Sequence, residues 1–264
     1  MKTKMLYDGT FEGFLSTVFQ IFEEKLTNVI IEKEALATET LFDRTETVVT
    51  DTQKAQRVWK GLAQRCSGEG RNNIYKAFLS EIFTIENTLL HFIQRTFSEG
   101  DIRKSKKIHT DFADPEILKI SKVVKMVHRE KHRMDAFVRF RLTKDGLYFA
   151  TVSPDFNVLP LNAKHFKNRY ADQKWLIYDT RRKYGIYYDL ECVDYISLEV
   201  SNTINNASMA TYYFTEDEQV FQELWQNYFK STNIPSRKNL KLHVQHVPKR
   251  YWKYLSEKFP DLKK

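Results

Sequence analysis

The chain has 264 residues, 42% apolar and 29% charged, enough to bury a core as one large or two modest domains. That composition excludes disorder, a collagen-like repeat and a disulfide scaffold. Its 42 Lys+Arg against 34 Asp+Glu leave a formal charge of +8, unevenly spread: residues 1–100 hold 12 basic and 14 acidic side chains, residues 101–264 hold 30 and 20. A positive field confined to one part of a chain argues for an anionic partner, most often nucleic acid, and has no bearing on fold.

In chain order, Lys4-Met5-Leu6-Tyr7 reads as a short strand and Asp8-Gly9 as a turn. Phe11, Phe14, Leu15, Val18, Phe22 and Leu26 then recur at helical spacing. Residues 36–50 read as strand or connection. Thr50-Asp51-Thr52-Gln53 has the form of a capping box with Thr50 as the cap, opening a helix with Ala55, Val58, Trp59, Leu62, Ala63 and Cys66 on one face. After a breaker at Ser67-Gly68-Glu69-Gly70, apolar positions from Ile74 to Phe97 predict one long helix ending before Gly100. Asp114-Pro115 predicts the capped start of another, with Ile117, Ile120, Val123, Val124 and Val127 as its buried stripe.

The period then changes to two. Segments 137–142 and 147–152 flank Asp145-Gly146, predicting a hairpin with a two-residue loop in which Arg141 pairs with Ala150 and Thr143 with Tyr148. A short helix over 161–170 follows, then a second hairpin (175–180 and 184–190), a strand over 193–200, a capped helix after Thr215 and a last helix over 248–259. The predicted class is α+β: a mainly helical part (1–112), then a basic part (113–264) with an antiparallel sheet and flanking helices, packing as a single unit being left open.

The basic residues fall in three places. Arg139 and Arg141 share a face of the first hairpin, Arg181-Arg182-Lys183 form the tip of the second, and Lys249, Arg250 and Lys253 line the last helix opposite Tyr251, Leu255 and Phe259. Arginine beside aromatic side chains can grip phosphates and stack on bases, and a basic helix stripe can follow a phosphate backbone. Each is equally a solvated face.

Catalytic and metal signals are sparse. Cys66 and Cys192 are the two cysteines, which excludes a cysteine-ligated cluster or structural zinc site within the chain and suits a reducing compartment. His128 and His132 bracket Glu130, in an order other than that of the zinc peptidases; His243 and His246 form a second lone pair, and His165 reads as a packing residue. Neither a metal nor a cofactor is expected. Asp179, Asp189, Glu191 and Asp194 lie on neighbouring predicted strands where carboxylates could converge. No phosphate-binding loop, dinucleotide fingerprint or serine-hydrolase elbow occurs. With no secretory signal and no apolar span (the longest uncharged stretch is 200–215), the expectation is a cytoplasmic protein without membrane contact.

Four segments carry a resemblance. They are 7–15 (YDGTFEGFL), 130–140 (EKHRMDAFVRF), 165–189 with Trp175, Asp179 and Arg182, and 248–255 (PKRYWKYL). Together they resemble a bacterial domain-of-unknown-function family assigned to DNA metabolism. Its members are encoded beside a radical-SAM protein of DNA modification or repair, and some carry a uracil-DNA-glycosylase-like domain after the last segment. The glycosylase motifs do not occur here, so base excision is not implied. The resemblance implies a DNA-metabolism role with DNA and a radical-SAM protein as partners. It also implies a functional surface from Glu130, His132, Arg139, His165, Arg169, Asp179, Arg182, Arg250, Tyr251 and Trp252. The nucleic-acid-binding candidates are then Arg139, Arg141, Arg169, Arg181, Arg182, Lys249, Arg250 and Lys253. The alternatives are an enzyme acting on nucleic acid or nucleotides, with Glu130, His132 and Asp179 as acid–base groups, and a protein-interaction scaffold.

Overall fold

The computed structural model describes residues 3–37, 44–197, 224 and 244–258. The helix expected after Thr215, apart from residue 224, lies outside these residues, as do His243, Phe259 and the end of the strand over 193–200. The fold is α+β, in two compact units that divide between His128 and Arg129, inside a helix rather than near residue 112.

In the first unit, strand β1 (Thr3–Tyr7) is central in a parallel sheet of order β2-β1-β3, flanked by β2 (Val29–Lys33) and β3 (Arg44–Thr47). The unit is mainly helical; the strand at 4–7 was expected, and its parallel pairing with β2 and β3 was not. The strands are so short that alternation barely registers, and parallel pairing depends on partners far apart in sequence. Helix α1 (Phe11–Glu23) is the crossover between β1 and β2, capped by the Thr10 hydroxyl, which accepts from Gly13 N. Helices α2 (Thr52–Arg65), α3 (Gly68–Phe78), α4 (Ile85–Ser98) and α5 (Ile102–Ser105) complete the unit up to α6 (Pro115–Phe137).

Two local expectations change. The cap of α2 is Asp51, whose carboxylate accepts from Gln53 N at 2.8 Å and Lys54 N at 3.1 Å, while the Thr50 hydroxyl donates to Asp8 at 2.7 Å. The long helix expected over 74–97 is two. Glu81 (φ 52°) and Thr84 (φ 66°) adopt left-handed backbone between α3 and α4, and Ser67 caps α3 through Gly70 N. Apolar periodicity runs through this break because both helices face one core, with Ile74, Phe78, Ile85, Leu89 and Phe92 buried.

The start of α6 is as expected. Asp114 Oδ1 accepts from Glu116 N at 2.8 Å and Ile117 N at 3.3 Å. Its other oxygen lies 2.7 Å from Arg95 Nη1 and 2.9 Å from His91 Nε2. Burial raises the pKa of this carboxyl, yet the donors from His91, Glu116 and Ile117 prevail and hold it at about 2. A folded-state pKa below the unfolded one contributes stability that is present above about pH 4 and lost as pH falls through about 2. Thermal melts from pH 5 down to pH 2 should therefore show an acid-induced loss that Asp114→Asn reduces. Parallel curves for wild type and variant would refute this assignment.

The second unit holds a five-stranded sheet of order β4-β5-β6-β7-β8: β4 (Arg141–Leu142), β5 (Tyr148–Val152), β6 (Trp175–Asp179), β7 (Tyr184–Tyr188) and β8 (Val193–Ser197). The sheet is mixed rather than antiparallel, because β5 and β6 run parallel, joined by the crossover helix α7 (Leu159–Arg169). Every residue of β6 is buried. Trp175 packs against Phe140, Phe166 and Tyr188 with ring centroids 6.3, 6.1 and 5.4 Å away. On the other face, Leu176 and Tyr178 pack with Phe149. Gly185 sits opposite Tyr178, where an added Cβ would meet the Ile177 carbonyl oxygen at 2.8 Å.

The first hairpin differs from expectation by one residue. Gly146 N donates to Thr143 O and Thr143 N to Leu147 O, so the loop is Lys144-Asp145-Gly146, with Gly146 at φ 80°. A three-residue loop with glycine in the left-handed position shifts the register, and Arg141 pairs with Phe149 and Leu142 with Tyr148. Phe137 ends α6 instead of starting a strand, so Arg139 precedes the sheet and shares no strand face with Arg141. The segment expected as a last helix over 248–259 is a 3-10 turn, Lys249–Tyr254, within the described residues.

Candidate nucleic-acid interface

The parallel pair decides where the second unit's polar residues gather. Val152 and Asp179 are register partners at the carboxyl ends of β5 and β6, the edge at which open sheets with crossover helices bind ligands. From there residues 153–158 lead into α7, and residues 180–183 turn into β7.

Asp179 builds that turn. Its side chain is 0% exposed, and its carboxylate accepts from Arg181 N at 2.9 Å, Arg182 N at 3.2 Å and Arg182 Nη1 at 2.8 Å. The arginines reach across to the neighbouring loop. Arg182 donates to Pro154 O and Asp155 O, both at 3.1 Å, and Arg181 to Asp155 O at 3.2 Å.

Glu130 anchors the same loop from α6. Its carboxylate, 2% exposed, accepts from Asp155 N at 2.9 Å, from the Tyr251 hydroxyl, and from Arg250 at 3.4 Å and Arg133 at 3.5 Å. Burial and the Glu130 charge push the Tyr251 phenol far above its ordinary value, so it stays a proton donor. Arg250, 43% exposed, lies 4.5 Å over the Tyr251 ring and pairs with the Asp155 carboxylate at 2.5 Å. Guanidinium groups from residues 181, 182 and 250 thus converge on Asp155, a residue that sequence reasoning missed. Its position just past the end of a predicted strand and before a predicted helix was the available signal.

The other candidates divide. Arg139 is committed internally, making a two-pronged pair with Glu257 (2.8 and 3.3 Å) and donating to Ala136 O and Val138 O. Arg141 is half-buried on β4. Arg169 is exposed and lies beside Tyr170. Lys249 and Lys253 are exposed, over the rings of Trp252 and Tyr254, while Tyr251 and Trp252 are buried. Of the three acid–base candidates, Glu130 and Asp179 serve one loop, whereas His132, 83% exposed, stands apart. His165 is half-buried against Phe166, and His128 and His246 are exposed. Asp189 and Asp194 converge with Cys192, their ligand atoms lying within 4.8 Å of one another, and Asp179 does not join them. Asp189 already accepts from the amides of Glu191 and Cys192, which closes a turn.

A family model described as a domain of unknown function, DUF4130, matches residues 84–257, more than half of the chain. The chain belongs to the DUF4130 family. The matched span includes the whole loop network around Asp155 and three of the four segments noted above, 130–140, 165–189 and 248–255; segment 7–15 lies outside it. No curated protein and no solved structure matches the chain. No helix among the described residues is long and apolar enough to cross a membrane.

Proposed function

We propose that this DUF4130 chain is a DNA-binding protein of DNA metabolism that grips the phosphate backbone with its basic C-terminal part and works with a radical-SAM enzyme of repair or modification. The observation that carries the reading is the arrangement at 249–253, where Tyr251 and Trp252 are buried anchors and Lys249, Arg250 and Lys253 are exposed. Support comes also from the excess of 30 basic over 20 acidic residues beyond residue 100 and from the resemblance, which supplies the radical-SAM partner. An acid–base enzyme is less well supported, since His132 stands apart from Glu130 and Asp179.

The test is DNA affinity of the full chain as a function of salt, alone and with the radical-SAM protein. Log affinity should fall linearly with log salt, and Lys249→Ala or Lys253→Ala should reduce the slope by about one each if the lysine touches phosphate. Absence of binding at low salt, with and without the partner, would sink the reading.

A further inference from the structure

We propose that Asp155 occupies a phosphate site: in the free chain its carboxylate holds the place that a phosphate of the DNA strand takes on binding. This rests on the DNA-binding reading above and deepens it.

The backbone and the side chain of Asp155 are held in opposite ways. Its N–H is fixed by buried Glu130, and its carbonyl oxygen and that of Pro154 by Arg181 and Arg182. The carboxylate is 46% exposed, and its ion-pair partner is Arg250. A rotation of that side chain therefore releases Arg250 without disturbing the loop. Arg250 would not follow it, because Nη2 is also held by Glu130 and by the Tyr251 hydroxyl at 2.6 Å. Among the described residues, Nε and Nη1 of Arg250 have no hydrogen-bond partner, and Arg181 beside it is exposed. A positioned guanidinium with further donors, a second arginine nearby and one removable anion fit a strand phosphodiester, whose two non-bridging oxygens accept in the same forked way as the carboxylate they replace.

The ligand chemistry is a phosphate group, of a strand or free in solution, and the experiment separates the two. A fluorescein-labelled oligonucleotide is titrated with the full-length chain across a salt series for wild type, Asp155→Asn, Arg250→Ala, the double variant and, as a control of equal charge change, Asp172→Asn. Asp155→Asn should tighten binding about tenfold at low salt and steepen the salt slope by about 0.9, one more phosphate being engaged. Arg250→Ala in the same chain should abolish that gain, and Asp172→Asn should change affinity less than about twofold. Asp155→Ser is read in the same way should the asparagine variant not fold. If wild type binds and Asp155→Asn gains nothing, or Asp172→Asn gains as much, the inference falls and the DNA-binding reading stands. If no variant binds, both fall. Tighter binding of inorganic phosphate by Asp155→Asn, with no change in oligonucleotide affinity, would assign the site to free phosphate and overturn its assignment to a strand.

Discussion

Replacing Glu130 with leucine is expected to destabilise the chain by about 3 kcal/mol, in the lower part of the range for breaking a buried charged network because Arg250 and Arg133 can reach water. The carboxylate accepts from the Tyr251 phenol, the Asp155 amide and the two guanidinium groups. Leucine fills the volume and satisfies none of them, leaving the phenol and the amide desolvated without partners. The loss should appear as a fall of ~6–12 °C in the thermal midpoint of the unit that contains Tyr251. Glu130→Gln keeps the shape and two acceptor sites, so its cost should be nearer 1–2 kcal/mol, roughly that of a charged hydrogen bond made neutral. Circular dichroism melts give the answer; a leucine variant that melts within a degree of wild type would show that the network is ornamental.

Asp179→Ala is expected to cost about 3–5 kcal/mol, because it leaves the largely buried Arg182 guanidinium without its closest anion and strips two turn amides of their acceptor. The side chain is 0% exposed, so no water stands ready to replace it. Asp179→Asn should retain the turn, since an amide oxygen still accepts from Arg181 N and Arg182 N, and should lose only about 1–2 kcal/mol. Loosening of the 180–183 turn would also release Pro154 and Asp155 from Arg181 and Arg182, so faster backbone amide exchange in both loops is the second expected sign. Exchange confined to the turn alone would argue that the two loops are not coupled.

These two carboxylates show how little residue type by itself says about environment. In the sequence Glu130 and Asp179 stand out as polar residues in segments of interest and invite an acid–base role. In the fold each is a buried anchor for arginines and backbone amides, and the exposed carboxylate at the same place is Asp155. The difference is burial, which depends on what packs above a residue and leaves no trace in its identity. The sheet teaches the same lesson. Strands 175–179 and 184–188 were legible because their apolar residues run together and their turn is local. The parallel pairing of β5 with β6 needs a crossover of some twenty residues, and the short helix at 159–169, although expected, was not recognised as that crossover.

By itself the sequence determined the α+β class, most element positions among the described residues of the second unit, the Asp114 cap and the concentration of positive charge beyond residue 100. These follow from local periodicity, capping chemistry and composition, which act over a few residues or over none. The tertiary structure alone decided which cations are spent inside the molecule, as Arg139 is on Glu257, and which meet at one loop, as Arg181, Arg182 and Arg250 do at Asp155. Those partners are separated by 26 to 118 positions. Only closure of the chain brings such charges within Coulombic reach, and Coulomb energy depends on distance in space, not on distance along the sequence.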